Sequence, residues 1–335
     1  MSTPVVEVRD LRRTFAGGFE AVRGVSFDVA PGELFALLGT NGAGKTSTME
    51  VLEGLAPATS GTVRVLGHDP YRERRAVRPR TGVVLQEGGF PRDLTVLEAA
   101  RTWAGTLTAP RPPEEVVDLV GLSDKADVRI RQLSGGQRRR LDLGVAVMGR
   151  PDVLFLDEPT TGLDPESRRT TWEVVRSMVA DGMAVVLTTH YLEEAEQLAD
   201  HLAIMAAGEV VVAGTPEEVV AAEPSRVRWR PAAGTAVADL PVLVEPDGRP
   251  ADVRLEDGRA VVRTRALRPV LGRLLAWADE HGDDLEGLAV TSASLEQVFL
   301  AAADRDRREA GDPERADGAD RPGRPDHHDQ LETSR

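Results

Sequence analysis

Residues 39–46 combine glycines, a lysine and a threonine at the spacing G-x-x-x-x-G-K-T. The glycines let the backbone curl so that successive N–H groups point at phosphate oxygens, and the start of a following helix adds partial positive charge. Lys45 can then place its ammonium group on the β- and γ-phosphates, while the Thr46 hydroxyl can hold Mg2+. Because the apolar run Leu34–Leu38 precedes the loop and a helical pattern follows it, the segment predicts a nucleoside triphosphate site.

Two carboxylates follow a second apolar run, Val153–Leu156. Asp157, at the tip of this predicted strand, would lie near the magnesium ion of a nucleotide bound to the glycine-rich loop. Glu158 can face a water molecule in line with the γ-phosphorus and act as its general base or orient it. An Asp-Glu pair is also common at a solvated strand end, but the phosphate loop on the same chain favours the catalytic interpretation.

A histidine, His190, ends the predicted strand Ala184–Thr189. A lone histidine is usually structural or solvated. Here the strand is expected to lie beside the acidic strand, and ligands of α/β sheets bind at the carboxyl ends of the strands. His190 can therefore reach the γ-phosphate, whereas the other five histidines have no comparable context.

A second glycine-containing helix start lies at Leu133–Gln137, before the arginine run Arg138–Arg140. Ser134 can cap that helix and leave glycine N–H groups open to an anion. Since the segment falls in a helical insertion, we expect it to lie far from Lys45 and to serve a nucleotide held by another copy of the chain. The arginine run by itself is also typical of a solvated helix face.

Alternation of apolar strands with helical patterns predicts an α/β fold with a mostly parallel sheet. The strands are expected at Leu34–Leu38, Val83–Leu85, Val153–Leu156 and Val185–Leu187. Residues from about 92 to 150 carry helical patterns and indicate a helical subdomain inserted into a domain that covers residues 1–225.

A different pattern begins at residue 226 and predicts a small separate α+β module over residues 226–303. Val253–Arg265 alternates around Asp257-Gly258 and predicts a hairpin. A helix is expected from Pro269 to about His281, and a second strand and helix from Leu285 to about Ala303. Residues 304–335 are rich in Asp, Arg, Pro and Gly, and we expect this tail to be disordered.

Composition limits the class of protein. The 335-residue chain has no cysteine, which excludes disulfides, thiolate metal sites and cysteine nucleophiles. It also lacks an apolar run of bilayer length, so we expect a cytoplasmic protein that can dock onto a membrane protein. Its net charge of −14 argues against nucleic acid as a partner.

The motifs together resemble the ATP-binding subunits of ABC transporters, and the resemblance covers residues from about Val5 to Val220. The order of the motifs carries it: the phosphate loop, Leu133–Gln137, Asp157-Glu158, Gly162-Leu163-Asp164-Pro165 and His190. Gln86, after the strand Val83–Leu85, matches the glutamine loop of that family.

The resemblance implies a P-loop NTPase sheet with an inserted helical subdomain, and it implies roles for single residues. Phe15 replaces the usual tyrosine that stacks on adenine, and its ring can still stack. Glu158, His190 and Gln86 would be catalytic, and Asp164 would link the two sites of a homodimer. Magnesium would be held by Thr46, Gln86 and Asp157. ATP would be bound by Gly39, Thr40, Asn41, Gly42, Ala43, Gly44, Lys45, Thr46 and Ser47, and across the dimer by Ser134, Gly135, Gly136 and Gln137. Thr48, which directly follows Ser47, is not included in this set of ATP-binding residues.

Two further segments, Thr189–Glu196 and Ser294–Leu300, resemble the daunorubicin-resistance type of subunit. For the second segment, plain helix packing of Leu295, Val298 and Phe299 is an equal alternative. The resemblance implies ATP hydrolysis that powers export of a drug, antibiotic or lipid-like compound through a separate ABC-2 type permease at the inner face of the membrane. An importer ATPase and a soluble ABC-type ATPase of DNA repair or translation are the alternatives.

Overall fold

A six-stranded sheet forms the centre of the computed structural model, which describes residues 3–85, 89–231, 240–245 and 247–309. In spatial order its strands are β5 (Thr81–Val84), β6 (Val153–Asp157), β7 (Ala184–Thr189), β3 (Leu34–Gly39), β8 (His201–Ala206) and β9 (Glu209–Gly214). Neighbouring strands are parallel except for the antiparallel pair β8 and β9. The four predicted strands are confirmed, and the loops that follow β3, β6 and β7 meet at one edge.

Helices cover one face of this sheet. Parallel strands are buried on both faces, so each face needs a layer packed against it. They are α5 (Gly135–Val147), α6 (Pro165–Ala180), α7 (Leu192–Leu198) and α8 (Pro216–Ala222). Asp164 caps α6 and Thr215 caps α8, each followed by a proline at the first helical position. On the other face lies α1 (Lys45–Leu52), which follows the glycine-rich loop directly.

An antiparallel sheet packs on the same face as α1 and is not among the predicted elements. It consists of β2 (Glu20–Val29), β1 (Val6–Thr14) and β4 (Ser60–Val65) in that order, with the short helix α2 (Arg74–Val77) after it. The rings of Phe27 and Phe35 stack at 4.5 Å between the two sheets. The turn between β1 and β2 carries Phe15 toward the glycine-rich loop.

The helical insertion lies between β5 and β6, in the expected part of the chain. It contains α3 (Val96–Ala104), α4 (Pro113–Leu119) and the start of α5. Capping boxes at Thr95 and Ser134 satisfy backbone N–H groups at the starts of α3 and α5. Apolar side chains of all three helices share a core with one face of the large sheet.

The C-terminal sheet has four antiparallel strands with a helix on one face. In spatial order the strands are β11 (Asp252–Glu256), β12 (Arg259–Thr264), β10 (Ser225–Arg230) and β13 (Glu286–Thr291), and the helix is α9 (Leu267–His281). The predicted hairpin at Asp257-Gly258 is confirmed, because β11 and β12 pair across these two residues. Trp229 and Leu274 are fully buried in the core of this unit.

The last helix, α10 (Leu295–Glu309), departs from the expectation of a separate module. Leu295 and Val298 are buried against α7, α8 and the large sheet, so this helix completes the core of the first domain. The backbone of residues 304–309 is helical where we expect disorder, because a helix that is already nucleated propagates at low cost. Residues 310–335 lie outside the described part. No described helix combines the length and apolar character needed to cross a bilayer.

Candidate functional site

The glycine-rich loop turns from β3 into α1 through backbone angles that need glycine. Gly44, the residue before α1, has φ of +99°, and a Cβ there would lie 2.4 Å from the Ala21 carbonyl oxygen. Gly42 also has a positive φ, +87°, but faces open space. Glycine at position 44 therefore permits both the turn and the close approach of the β2 backbone.

Lys45 is the first residue of α1 and is only 6% exposed. Its Nζ atom donates hydrogen bonds to the carbonyl oxygens of Gly39 at 2.8 Å and Thr40 at 3.1 Å. Burial lowers the pKa of Lys45, while the carboxylates of Glu158 and Asp157 act in the opposite direction. The ammonium group is thus held over the loop and in the field of both predicted carboxylates.

Thr48 lies in the first turn of α1, directly after Ser47. Thr48 is fully buried, and its hydroxyl donates to the Gly44 carbonyl oxygen at 2.9 Å. Its backbone N–H donates to the same oxygen at 2.9 Å. Both donors of Thr48 are thus used within the helix, whereas Thr46 and Ser47 line the cavity described below.

The acidic pair ends β6 beside β7. The hydroxyl of Thr188 donates to Asp157 Oδ1, and the backbone N–H of Glu158 donates to the Thr188 carbonyl at 3.1 Å. Glu158 has φ of +44°, a left-handed conformation that costs a non-glycine residue about 1–3 kcal/mol. Such strain persists only where neighbouring contacts hold it.

His190 follows β7 and meets this side chain. Its Nδ1 atom lies 3.2 Å from Glu158 Oε1 but forms no hydrogen bond within the described part of the chain. The Thr161 hydroxyl donates to the other carboxylate oxygen of Glu158 at 3.1 Å. The Tyr191 ring packs against the His190 ring with centroids 4.2 Å apart.

Lys45, Glu158, Thr161 and His190 line one open cavity of about 530 Å3 together with residues of the glycine-rich loop. Phe15, 39% exposed, also lines this cavity, and so does Phe19, an aromatic residue missed by sequence reasoning. No motif marks Phe19; only its place in the turn after β1 identifies it. The cavity is lined by Phe15, Phe19, Ala21, Asn41, Gly42, Gly44, Lys45, Thr46, Ser47, Glu158, Thr161 and His190. Gln86, a predicted member of the site, lies outside the described residues.

The second glycine segment lies away from this cavity. Ser134 caps α5 by accepting from the Gln137 N–H at 3.2 Å, and the Gln137 side chain accepts from the Ser134 N–H at 3.0 Å. Gly136 is packed so closely on α6 that an added Cβ would lie 2.4 Å from Ser167 Oγ. Gly135 opens instead on a neighbouring cavity of about 460 Å3, which shares Glu158 with the first cavity.

Asp164 serves as the cap of α6. Its carboxylate accepts from the Ser167 N–H at 2.9 Å and the Ser167 hydroxyl at 2.7 Å, and these bonds lower the pKa of Asp164. Since Gly136 packs on the same serine, the helix starts of α5 and α6 are fixed to each other through Ser167.

Glu194 is a fully buried carboxylate that no sequence motif identified. It accepts from the Thr160 hydroxyl and from the Trp172 indole N–H, both at 3.0 Å. Burial raises the pKa of Glu194, and hydrogen bonds from Thr189, Trp172 and Thr160 oppose that shift. It joins the loop after Glu158 to the end of β7.

Comparison with family models identifies both parts of the chain. Residues 22–161 match the model described as ABC transporter. Residues 225–294 match the C-terminal domain described as ABC transporter domain-containing protein-like.

Related proteins extend over almost the whole chain. The daunorubicin resistance ATP-binding protein DrrA3 of Streptomyces coeruleorubidus is 39% identical and covers 87% of this chain and 94% of its own length. The daunorubicin/doxorubicin resistance ATP-binding protein DrrA of Streptomyces peucetius is 35% identical, with coverage of 93% and 98%. The Nod factor export ATP-binding protein I of Paraburkholderia xenovorans is 41% identical, with coverage of 67% and 75%.

Solved structures share the fold of the first domain. CbiO1 of Clostridium perfringens, part of the ABC transporter complex CbiONQ, superposes with a TM-score of 0.60 at 25% identity, covering 65% of this chain and 91% of its own. The ADP conformation of MJ1267, an ATP-binding cassette of an ABC transporter, gives 0.57 at 24% identity, covering 65% and 93%. The chain therefore belongs to the ABC transporter family as an ATP-binding subunit that hydrolyses ATP.

Proposed function

We propose that this ATPase subunit powers export of a drug, antibiotic or lipid-like compound through a separate ABC-2 type membrane permease, from the cytoplasmic face. The observation that carries the ATPase assignment is the meeting of Lys45, Glu158 and His190 in one cavity. Export is supported by the names of the related proteins, which describe drug resistance and Nod factor export.

The nucleotide would lie along the cavity from Phe15 to Glu158. Lys45 can exchange its two carbonyl contacts for β- and γ-phosphate oxygens, because its Nζ atom already lies over the loop. Thr40, Asn41 and the other loop residues would supply backbone N–H groups to the phosphates. Adenine would stack on Phe15 with Phe19 as a second apolar wall.

The residues at the phosphate end are suited to hold Mg2+. Its preferred ligands are oxygens, and it usually takes only one or two protein groups together with water and phosphate. Thr46 offers an exposed hydroxyl in the cavity, and Asp157 offers a carboxylate at the end of β6. When bound, the ion would neutralise charge that develops on the phosphate oxygens. Gln86 is proposed as a further ligand from the family resemblance.

Glu158 is proposed as the general base. Its carboxylate would accept the proton of the water that attacks the γ-phosphorus. The Thr161 hydroxyl donates to one oxygen of that carboxylate, and His190 Nδ1 lies 3.2 Å from the other. His190 would contact the γ-phosphate and report its departure after hydrolysis.

A second copy of the chain would complete each site. Ser134, Gly135, Gly136 and Gln137 of that copy would cover the nucleotide, and Asp164 would contact the opposite site. The separate cavity at Gly135 supports this division, because it does not include Lys45. The shared lining by Glu158 supports communication between the two cavities.

The permease would dock on an apolar cavity of about 320 Å3 between β5 and the helical insertion. Leu85 and Trp103 line it and are 52% and 46% exposed. This surface is connected to the site because Leu85 directly precedes the glutamine loop at Gln86.

Export can be tested in inside-out membrane vesicles that contain the chain with its co-purified permease. ATP and Mg2+ should drive daunorubicin, used as the probe, into these vesicles, and the Lys45→Ala variant should abolish uptake. Energy-dependent movement only out of inside-out vesicles would favour an importer. Phosphate release without movement of daunorubicin or of a fluorescent lipid probe in either direction would contradict the proposal for export.

A further inference from the structure

Arg139 is a buried arginine on α5, between the glycine segment and the core of the helical insertion. It is 7% exposed, and all three nitrogen atoms of its guanidinium group donate to backbone carbonyls. Nε donates to the Pro159 oxygen at 2.7 Å, Nη2 donates to the Asp157 oxygen at 3.0 Å, and Nη1 donates to the Leu85 oxygen. One side chain thus joins three segments of the fold.

Two of these carbonyls flank Glu158. Asp157 precedes it and Pro159 follows it, so the guanidinium group holds the backbone on both sides of the proposed base. Glu158 itself is in the left-handed conformation, with φ of +44°. A residue in that region keeps its direction only where neighbouring contacts over-determine it. Thr188 holds its N–H, and Arg139 holds the two adjacent carbonyls.

The charge of Arg139 argues against a purely space-filling role. Burial lowers the pKa of this guanidinium, while the carboxylates of Asp142, Asp157 and Glu194 oppose the shift. Packed apolar residues usually stabilise a core as well as a buried charge does, so a buried arginine contributes little by burial alone. The planar fork of arginine does provide donors in the directions needed to hold three carbonyls together.

We propose that Arg139 is a positioning residue that fixes the direction of Glu158 and ties it to the start of α5. The inference rests on the proposed function, in which Ser134–Gln137 covers the nucleotide of a second copy. Ser134 is the N-cap of α5, the helix that contains Arg139. Displacement of the helix start by a nucleotide would therefore be transmitted to the loop that carries Glu158.

The same side chain reaches the surface proposed for the permease. Its bond to the Leu85 oxygen fixes the end of β5, where the apolar cavity lies. Arg139 thus connects three places: the helix start that would cover the nucleotide of a second copy, the carboxylate of Glu158 and the surface proposed for the permease. The expected effect of losing it is a slower chemical step with unchanged binding of ATP.

The test compares Arg139→Met and Arg139→Lys with wild type, using the full chain with its permease. Arg139→Met should lower kcat for ATP about tenfold to hundredfold, because small misplacement of a catalytic group has effects of that size. The ATP dissociation constant, measured by equilibrium dialysis, should stay within about twofold of wild type. Arg139→Lys should be intermediate, since a single ammonium group cannot reach all three carbonyls.

Arg140→Met is the matched control for loss of structure. Arg140 lies on the same helix and donates to the carbonyls of Val120 at 2.9 Å and Gly121 at 3.0 Å, away from Glu158. Its loss should lower the melting temperature but leave kcat within about twofold. If both variants lose activity only in proportion to their melting temperatures, Arg139 is structural and the inference is wrong.

Other results of the same measurements would overturn either the inference or the proposed function. Normal kcat in Arg139→Met, or loss of ATP affinity in parallel with kcat, would overturn the positioning role while leaving the proposed function intact. A wild-type complex that does not hydrolyse ATP would overturn the proposed function instead. If Arg139→Met does not fold, Arg139→Lys is compared with wild type instead. A wild-type kcat for Arg139→Lys would then overturn the inference.

Discussion

His190 Nδ1 and Glu158 Oε1 lie 3.2 Å apart at the ends of two adjacent parallel strands. The contact is close enough for a charge interaction when the histidine is protonated, but Nδ1 forms no hydrogen bond within the described residues and could donate to another acceptor. A γ-phosphate would be such an acceptor. The carboxylate and the histidine can therefore exchange partners between the nucleotide-free and nucleotide-bound states.

Glu158→Gln should bind ATP normally but lose steady-state hydrolysis by about 100-fold or more, because an amide cannot accept the proton of the attacking water. The variant should also accumulate as an ATP-bound dimer. Phosphate release and size-exclusion chromatography with light scattering measure the two effects. Glu173→Gln, an exposed substitution on α6, is the matched control. Hydrolysis at the wild-type rate in Glu158→Gln would refute the assigned role.

Lys45→Ala should weaken ATP binding by about tenfold or more, since it removes the charge that lies over the loop. The chain has a second lysine, Lys125, whose side chain is 38% exposed and pairs with Asp124. Lys125→Ala should bind ATP as wild type does. Equilibrium dialysis with ATP and Mg2+ distinguishes the two variants, and equal affinity for both would show that the loop does not hold phosphate.

The phosphate loop and the acidic pair can be proposed from the sequence because each depends on local geometry. A glycine-rich turn between a strand and a helix, or a carboxylate after a buried strand, requires no distant partner to be identified. Arg139 and Glu194 could not be assigned in this way. Their roles depend on carbonyls and hydroxyls that are remote along the chain, such as Leu85 for Arg139, and a motif does not encode those contacts.

The packing of α10 is another feature that depends on contacts remote along the chain. The apolar residues of Ser294–Leu300 predict an amphipathic helix, but their spacing does not say which core they enter. By pattern alone, this helix is assigned to the module over residues 226–303. The structure instead places Leu295 and Val298 against the large sheet.

Glu53→Gln should reveal a buried carboxyl through the pH dependence of stability. Burial raises the pKa of Glu53 from 4.5 to about 8, with further contributions from Asp157 and Glu50. A raised folded-state pKa gives stability that is present below the unfolded value and lost as pH rises through about 8. The advantage of Glu53→Gln over wild type should therefore be small at pH 5 and increase toward pH 8.

Urea unfolding of both proteins in EDTA, without nucleotide, measures this difference. Glu173→Gln supplies the reference for an amide substitution at an exposed site. A constant difference between Glu53→Gln and wild type from pH 5 to pH 8.5 would show that Glu53 is not held in its protonated form by burial.

Leu295→Ala should destabilise the first domain itself, because Leu295 is fully buried among residues of α7, α8 and the large sheet. Removal of a buried leucine side chain costs about 2–5 kcal/mol, depending on how far the cavity collapses. Leu300, on the same helix, is 51% exposed, so Leu300→Ala should change the free energy of unfolding by about 0.5 kcal/mol or less.

The readout is the unfolding transition that ATP and Mg2+ shift upward, since ligand binding marks the domain that contains the phosphate loop. If α10 belongs to that domain, Leu295→Ala moves this transition downward. A helix that packed only within the C-terminal unit would leave the ATP-sensitive transition where it is in wild type.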